Sequence, residues 1–281
     1  MEHTECDADR PDLVDLQANQ VRWPRPAYDR SDEPHFVFIL TSPYTGSTTI
    51  AKYLATSPNI GLLRENGEGQ KLVPGIHRNW DANAKLDGES IRSTWLNRYQ
   101  QINSSGGLEI IVEKSPPNML RIDTLRSLFR RTTCLVNNRD PVAFCSSTFY
   151  RNTPNAGQLN EADRLQLLQK MALTWVRHSI ILKDYLSDQS VLTCSYEKFC
   201  ESPESLEMTF EKATGEAINP DKDPLLKIKD YLPFGIENKN MVQVSRFSEI
   251  EIEIIVKTLL PYSNLTSFFG YAPESWLSAT N

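Results

Sequence analysis

The chain has 281 residues, 40% of them hydrophobic and 23% charged, with a formal net charge of −6. That length allows one large domain or two small ones with an ample core, and the composition is that of a globular protein. The acidic balance excludes general nucleic-acid binding but leaves room for a local basic pocket, and no apolar run approaches the roughly 20 residues of a membrane helix.

Residues 1–30 place Pro11, Pro24 and Pro26 among charges, which predicts a flexible N-terminal arm ahead of a domain over 31–281. The start "MEHTECDADRPDLVDLQANQ" is acidic and polar, not a secretory signal. Cys6, Cys134, Cys145, Cys194 and Cys200 are scattered and odd in number, so reduced thiols and a cytoplasmic location are expected. His3, His35, His77 and His178 form no zinc spacing with them, and no metal is expected.

From His35 onward, strand-like and helix-like segments alternate. "FVFILT" (36–41) is a continuous apolar run, as a strand buried on both faces requires. "STTIAKYLATS" reads as a helix stopped near Ser57-Pro58. The polar stretch 66–90 reads as an insertion or lid. "LEIIVEK" (108–114) is a strand, "PNMLRIDTLRSLF" (117–129) a helix with Pro117 in its first turn, and "TTCLVNNR" (132–139) a further strand. A helix follows with Asp140 as N-cap and Pro141 at its first position.

Leu168, Met171, Ala172, Trp175, Leu182 and Leu186 recur near helical spacing, so 160–187 is a long amphipathic helix. "SVLTCSYEKF" gives a strand and a turn. Ser202-Pro203 then starts a helix that Gly215 can end. Ser248 and Glu251 fit a capping box ahead of "IEIIVKTLL". Strands alternating with helices imply an α/β fold whose mostly parallel sheet is covered on both faces.

Ligands of such sheets collect beyond the carboxyl ends of strands, where Pro43, Tyr44, Thr45, Gly46, Ser47 and Thr48 lie. Gly46 permits close backbone approach, Ser47 and Thr48 add hydroxyls, and the helix N-terminus favours an anion. A capped helix after a tight turn explains the same residues without a ligand. The loop lacks both the first glycine and the lysine of G-x-x-x-x-G-K-[ST], which disfavours Walker nucleotide hydrolysis. "NNRDPVAFCSSTFYR" adds a second cluster: Arg139 at a strand end, Ser147 on the next helix and Arg151 one turn beyond, suited to a phosphate clamp. A local Arg139-Asp140 ion pair is the simpler alternative.

"SPYTGST", "VEKSPPNMLRIDTLRSLF", "NNRDPVAFCSSTFYR" and "SYEKFCESPESLEMTFEKATG" occur in the order seen in sulfotransferases that use 3′-phosphoadenosine 5′-phosphosulfate (PAPS). The chain resembles that family over about residues 35–272, especially its carbohydrate/protein-type and bacterial branch, down to the closing Phe-Gly-Tyr. The resemblance implies a P-loop-like three-layer α/β fold and metal-free sulfuryl transfer from PAPS to an acceptor hydroxyl, with 3′,5′-adenosine bisphosphate (PAP) as product. It implies that residues 43–48 hold the 5′-phosphosulfate, that Arg139 and Ser147 hold the 3′-phosphate with Arg151 in support, and that Tyr196 contacts the nucleotide. Tyr196 equally fits a core aromatic at a strand end.

Relatives place Lys or Arg after Pro43, where this chain has Tyr44. Lys114 in "VEKSP" is the replacement cation, or else a solvent-facing charge paired with Glu113. Glu68, between Gly67 and Gly69, is the first candidate for the base, followed by Glu65 and His77. Two alternatives stand beside this reading: a nucleotide-binding relative impaired by Tyr44, and a P-loop small-molecule kinase. The acceptor class and the oligomeric state are not encoded in any motif.

Overall fold

In the computed structural model, the described residues are 33–77, 79–229 and 231–278. The arm expected over residues 1–30 lies outside them. The central strand β1 (His35–Thr41) is buried along its whole length. Phe36, Phe38 and Leu40 face one layer while Val37 and Ile39 face the other, so neither face has a polar side to offer. The strands β2 (Ile60–Leu62), β3 (Ile110–Glu113), β4 (Thr132–Asn138) and β5 (Leu192–Ser195) complete a sheet. Its order is β2-β3-β1-β4-β5, and every pairing is parallel.

The helices among the described residues are α1 (Ser47–Leu54), α2 (Gly88–Ile102), α3 (Ile122–Leu128), α4 (Pro141–Asn152), α5 (Glu161–Tyr185), α6 (Tyr196–Glu201), α7 (Pro203–Thr214), α8 (Asn240–Val244), α9 (Glu249–Leu259), α10 (Ser263–Phe268) and α11 (Ser275–Ser278). One face of the sheet packs Val37 and Ile39 on Ile50, Leu54, Phe199 and Phe210 of α1, α6 and α7. The other packs Phe36 and Phe38 on Trp95, Leu125 and Leu182 of α2, α3 and α5. Phe36 stacks on Phe129 at 3.9 Å between ring centres, with Trp95 behind them. Truncating such a residue to alanine costs about 3–5 kcal/mol. A third cluster joins α4, α5 and α9 through Phe149, Trp175 and Ile255. This is the expected three-layer α/β fold.

Local chemistry sets the helix ends. The Asp140 carboxylate accepts from the N–H groups of Val142 and Ala143, both at 2.9 Å, and so caps α4 above β4. Gly215, at φ 74°, ends α7, and Ser248 with Glu251 forms the capping box of α9. Among the described residues, no helix is long and apolar enough to cross a membrane.

Several boundaries differ from the sequence expectation. β2 and α2 carry no strong pattern and were not anticipated. The helix expected over 117–129 breaks at Arg121 (φ −146°) into a 3-10 turn, Pro116–Leu120, and α3. The turn expected after β5 is instead helix α6, capped by Ser195. The stretch 66–90 is not wholly a lid. Gly69, Gln70, Val73 and Ile76 are buried beside Trp95 and β3, and only its later part lies at the surface before Asp87 caps α2.

Candidate active site

The crevice lies at the carboxyl end of β1, where the connections run to β2 and β3 on one side and then cross to β4 on the other, the switch point of an open parallel sheet. The loop after β1 is fixed from below. Asn137 Nδ2, on β4, donates to Thr41 Oγ1 (3.0 Å), Thr45 Oγ1 (3.0 Å) and the Thr45 carbonyl (3.1 Å). Thr45 Oγ1 donates to the Ser42 carbonyl at 2.8 Å. Two left-handed residues, Tyr44 (φ 65°) and Gly46 (φ 82°), then turn the chain into α1. The first bonds onto the Gly46 carbonyl come from the N–H groups of Thr49 and Ile50. The amides of Ser47 and Thr48 precede them, α1 has no side-chain N-cap bond, and no acidic residue occupies its first turn. Such an end attracts anions.

Arg139 emerges from β4 across the crevice and is only 5% exposed. Its Nε donates to Asn240 Oδ1 at 2.8 Å, and its Nη1 donates to Ser147 Oγ (3.1 Å) and the Tyr44 carbonyl (3.2 Å). Its Nη2 is buried without a hydrogen-bond partner among the described residues. Asp140 is not its ion-pair partner, since that carboxylate caps α4 and accepts from Trp276 Nε1. A buried guanidinium held by neutral groups, with one nitrogen unsatisfied, is suited to receive an anion. Glu197 steadies the far side, accepting from Asn240 Nδ2 (2.8 Å), the Asp140 N–H (2.9 Å) and the Tyr271 hydroxyl (3.1 Å).

Between loop and arginine opens a cleft of about 440 Å³, bounded by Gly46, Ser47, Thr48, Arg139, Ser147 and Arg151. Lys229, Lys239 and Arg246 join this lining, and no carboxylate does among the described residues. Several of these cations rest on rings: Arg246 on Tyr150 at 3.5 Å, Lys239 on Phe234 at 4.2 Å and Arg151 on Tyr231 at 5.8 Å. A chain of net charge −6 thus carries a locally basic cleft with apolar ring surface beside it.

The expected ligand-contacting residues divide here. Gly46, Ser47, Thr48, Arg139, Ser147, Arg151 and Tyr44 reach the cleft, whereas Pro43, Thr45 and Tyr196 are not in its lining. Thr45 is fully buried and spent on the loop itself. Tyr196 packs under the site. Its ring meets Arg139 at 4.3 Å, and its hydroxyl donates to the Glu237 carbonyl and accepts from the Lys239 N–H. Burial pushes that hydroxyl up to about 12. Tyr196 is thus a core aromatic that braces Arg139. The Tyr44 hydroxyl donates to Asn152 Oδ1 at 2.6 Å.

Lys114 follows β3 on the layer facing α1. The solvent-facing pair with Glu113 does not form, because Lys114 is 3% exposed and its Nζ bonds Glu68 Oε1 at 3.0 Å. Burial lowers the lysine's pKa and Glu68 opposes the shift. Glu68 also pairs with Lys71. Burial alone would raise the Glu68 carboxyl, but Lys114 and Lys71 outweigh it and hold the group at about 2. A carboxylate so stabilised is a poor proton acceptor. Its neighbours also differ from expectation. The Gly67 carbonyl accepts from the Lys114 N–H at 2.7 Å, and a Cβ on Gly69 would lie 2.8 Å from Leu63 Cδ1. Gly69 thus lets the segment pack closely beside β3.

Beneath them Glu113 is fully buried, accepting from the N–H groups of Gly69 (2.9 Å) and Ser115 (3.1 Å), and from Asn118 Nδ2. Burial nevertheless pushes its carboxyl up to about 7. Glu65 is at the surface beside Lys52 at 3.7 Å, and His77 is exposed. Sequence reasoning missed Asn240, Lys239 and Arg246, which sit in stretches without periodicity or motif, and Glu197, which lies inside the SYEKF motif but was not singled out. It also missed a contact at the foot of the loop, Ser42 Oγ to His178 Nδ1 at 2.7 Å.

Residues 34–206 match the sulfotransferase family. The fold is similar to a sulfotransferase from Alicyclobacillus acidocaldarius, with 14% identity, a TM-score of 0.53, and coverage of 87% of this chain and 98% of that one. It is also similar to the sulfotransferase domain of the curacin biosynthetic pathway (15% identity, TM-score 0.47, 85% and 99% covered). A third similar structure is the sulfotransferase domain of the Synechococcus PCC 7002 olefin synthase (17% identity, TM-score 0.43, 71% and 78% covered). In sequence, no curated protein matches the chain.

Proposed function

The chain belongs to the sulfotransferase family, and from that premise we propose that it moves a sulfuryl group from PAPS to an acceptor hydroxyl. The observation that carries the choice of donor is the buried Nη2 of Arg139, unpartnered among the described residues, across a basic cleft from the uncapped N-terminus of α1. A donor with two separated phosphate groups fits that arrangement. Ser47, Thr48 and the amides around Gly46 would take the 5′ end. Arg139 and Ser147 would take the 3′-phosphate, with Arg151 at the rim. Bound PAPS would supply the activated sulfuryl group.

The remaining chemistry falls to the chain's own residues. Negative charge grows on the departing phosphate oxygen, by analogy with phosphoryl transfer. A positioned cation there is worth about two to three orders of magnitude in rate. Tyr44 carries no charge, so we assign this role to Lys114, which Glu68 orients and whose burial-lowered pKa that carboxylate partly restores. Titration calorimetry with PAP and transfer of labelled sulfuryl from PAPS to a panel of hydroxyl compounds test the reading. A wild-type protein that binds no PAP would refute it.

A further inference from the structure

Arg139 is flanked by two carboxylates and, among the described residues, pairs with neither. Asp140 follows it in the chain, and Glu197, in the first turn of α6, is one side chain away. Asn240 lies between: its Oδ1 accepts from Arg139 Nε and its Nδ2 donates to Glu197 Oε1, both at 2.8 Å. The hydrogen bonds of the guanidinium go to neutral acceptors, Asn240, Ser147 and the Tyr44 carbonyl. A buried charge ordinarily takes an opposite charge within reach, so something holds these two carboxylates off.

The C-terminal segment does so. Glu197 Oε1 is taken by Asn240 and by the Asp140 N–H, and its Oε2 accepts from the Tyr271 hydroxyl at 3.1 Å. Asp140 Oδ1 is spent on the N-terminus of α4, and its Oδ2 accepts from Nε1 of Trp276, on α11, at 3.0 Å. Each carboxylate thus has one oxygen bound inside the framework of the site and the other bound by a C-terminal ring. Tyr271 is buried and meets Trp175 edge-on, with ring centres 6.1 Å apart, and Trp175 Nε1 donates to the Arg139 carbonyl at 2.9 Å. Burial, then the charge of Glu197, pushes the Tyr271 hydroxyl well above its ordinary value, so it stays a donor. Asn240, Tyr271 and Trp276 all lie beyond the residues 34–206 that match the family.

We propose that Tyr271 and Trp276 are positioning residues for the nucleotide: they hold the carboxylates of Glu197 and Asp140 on the far side of Arg139 and leave its Nη2 for the 3′-phosphate. This rests on the two-phosphate reading above. Without the Tyr271 hydroxyl, Glu197 Oε2 loses its donor one side chain away from a guanidinium with an unsatisfied nitrogen. Rotation of the carboxylate toward Arg139 satisfies both groups, and a phosphate must then displace it. The penalty falls on a ligand that uses Arg139 and spares one that binds only at the N-terminus of α1. Trp276 acts on Asp140 in the same way with less effect, because the amides of α4 still hold Oδ1. The device is competition between anions for one cation, so neutralising the competing carboxylate undoes it.

The test is calorimetry with PAP and with adenosine 5′-phosphate on wild type, Tyr271→Phe, Trp276→Phe, and Tyr271→Phe combined with Glu197→Gln. Tyr271→Phe should weaken PAP about tenfold and adenosine 5′-phosphate less than about twofold, the scale of one hydrogen bond to a charged group. Trp276→Phe should weaken PAP about threefold. Adding Glu197→Gln to Tyr271→Phe should restore most of the lost PAP affinity, since the amide keeps an oxygen for Asn240 and has no charge to offer Arg139. A role confined to packing predicts the opposite, because the second substitution only removes further bonds. Equal losses of both nucleotides in Tyr271→Phe, an undiminished PAP affinity, or no recovery in the double variant overturns the proposal. If wild type binds no PAP, the donor reading fails, and inorganic sulfate becomes the probe for Arg139. Sulfate affinity should then fall about tenfold in Tyr271→Phe. Equal sulfate affinity, or no sulfate binding by wild type, overturns the proposal as well.

Discussion

The guanidinium of Arg139 stands 4.3 Å from the centre of the Tyr196 ring, and that ring occupies the space a Cβ on Gly46 would need, 2.2 Å from Tyr196 Cδ2. One tyrosine therefore spaces the two halves of the cleft, bracing the arginine and fitting against the turn into α1. Gly46→Ala would both clash and place alanine at φ 82°, a strain of about 1–3 kcal/mol before the clash is counted. A lowered melting temperature and loss of PAP binding in calorimetry are expected. Tyr196→Phe removes only the bonds to Glu237 and Lys239, so it should bind PAP better than Tyr196→Leu does.

Lys114→Met and Tyr44→Phe separate the two candidates for the leaving-group contact. Lys114→Met should lower sulfuryl transfer by about two to three orders of magnitude with PAP affinity little changed. Tyr44→Phe loses one hydroxyl bond, to Asn152, and should stay within about fivefold of wild type, in line with a neutral bond of about 1 kcal/mol. Transfer rates that fall with Tyr44→Phe and not with Lys114→Met would reverse the assignment. A wild type that binds PAP but turns over no acceptor, and is then activated by Tyr44→Arg, would show that Lys114 does not replace the missing cation.

Glu68 is read as the partner of Lys114 and not as a base. Glu68→Gln leaves a buried lysine without its carboxylate and should destabilise the protein by about 2–3 kcal/mol at neutral pH. The sign with pH follows from a folded value near 2 against an ordinary 4.5. The stabilisation is present above about 4.5 and is lost as pH falls toward 2. Denaturant midpoints of wild type and Glu68→Gln should therefore converge on acidification.

Two histidines make a second acid-sensitive contribution. His35, bonded to Thr133 at 2.8 Å, and His178 are both held at about 4, below the usual 6.5. Burial is the main cause in each, with Arg131 and Arg177 adding to it. The unfolded chain binds more protons between these values, so stability is full above pH 6.5 and falls as pH drops toward 4. His35→Gln should flatten that fall in urea titrations across the window. An unchanged slope would mean that His35 is not held neutral in the fold.

What the sequence disclosed follows from where the signal is local. β1 was legible because a strand buried on both faces is a continuous apolar run, β4 through the apolar Cys134-Leu135-Val136 at its centre, and the caps at Asp140 and Ser248 because capping needs particular side chains at fixed offsets. β2, three residues long, and α2, whose buried residues are Ile91, Trp95 and Tyr99 alone, have too little pattern to find. Gly46, Arg139 and Ser147 stood out because loop and strand end are contiguous motifs. Asn240, Glu197 and the Ser42–His178 contact come together only through the fold, 136 residues apart in the last case. The pairing of Glu68 with Lys114 has no local signal, since Lys114 lies 46 residues away in the chain.

The central claim is a two-phosphate site closed by Arg139. Titration calorimetry of PAP and of adenosine 5′-phosphate, which lacks the 3′-phosphate, on wild type and Arg139→Ala tests it most directly. Wild type should bind PAP more tightly than adenosine 5′-phosphate. Arg139→Ala should weaken PAP by about a hundredfold, the scale for losing a buried charge-assisted contact, and leave adenosine 5′-phosphate almost unchanged. Equal losses for both nucleotides, or an undiminished PAP affinity, would contradict it.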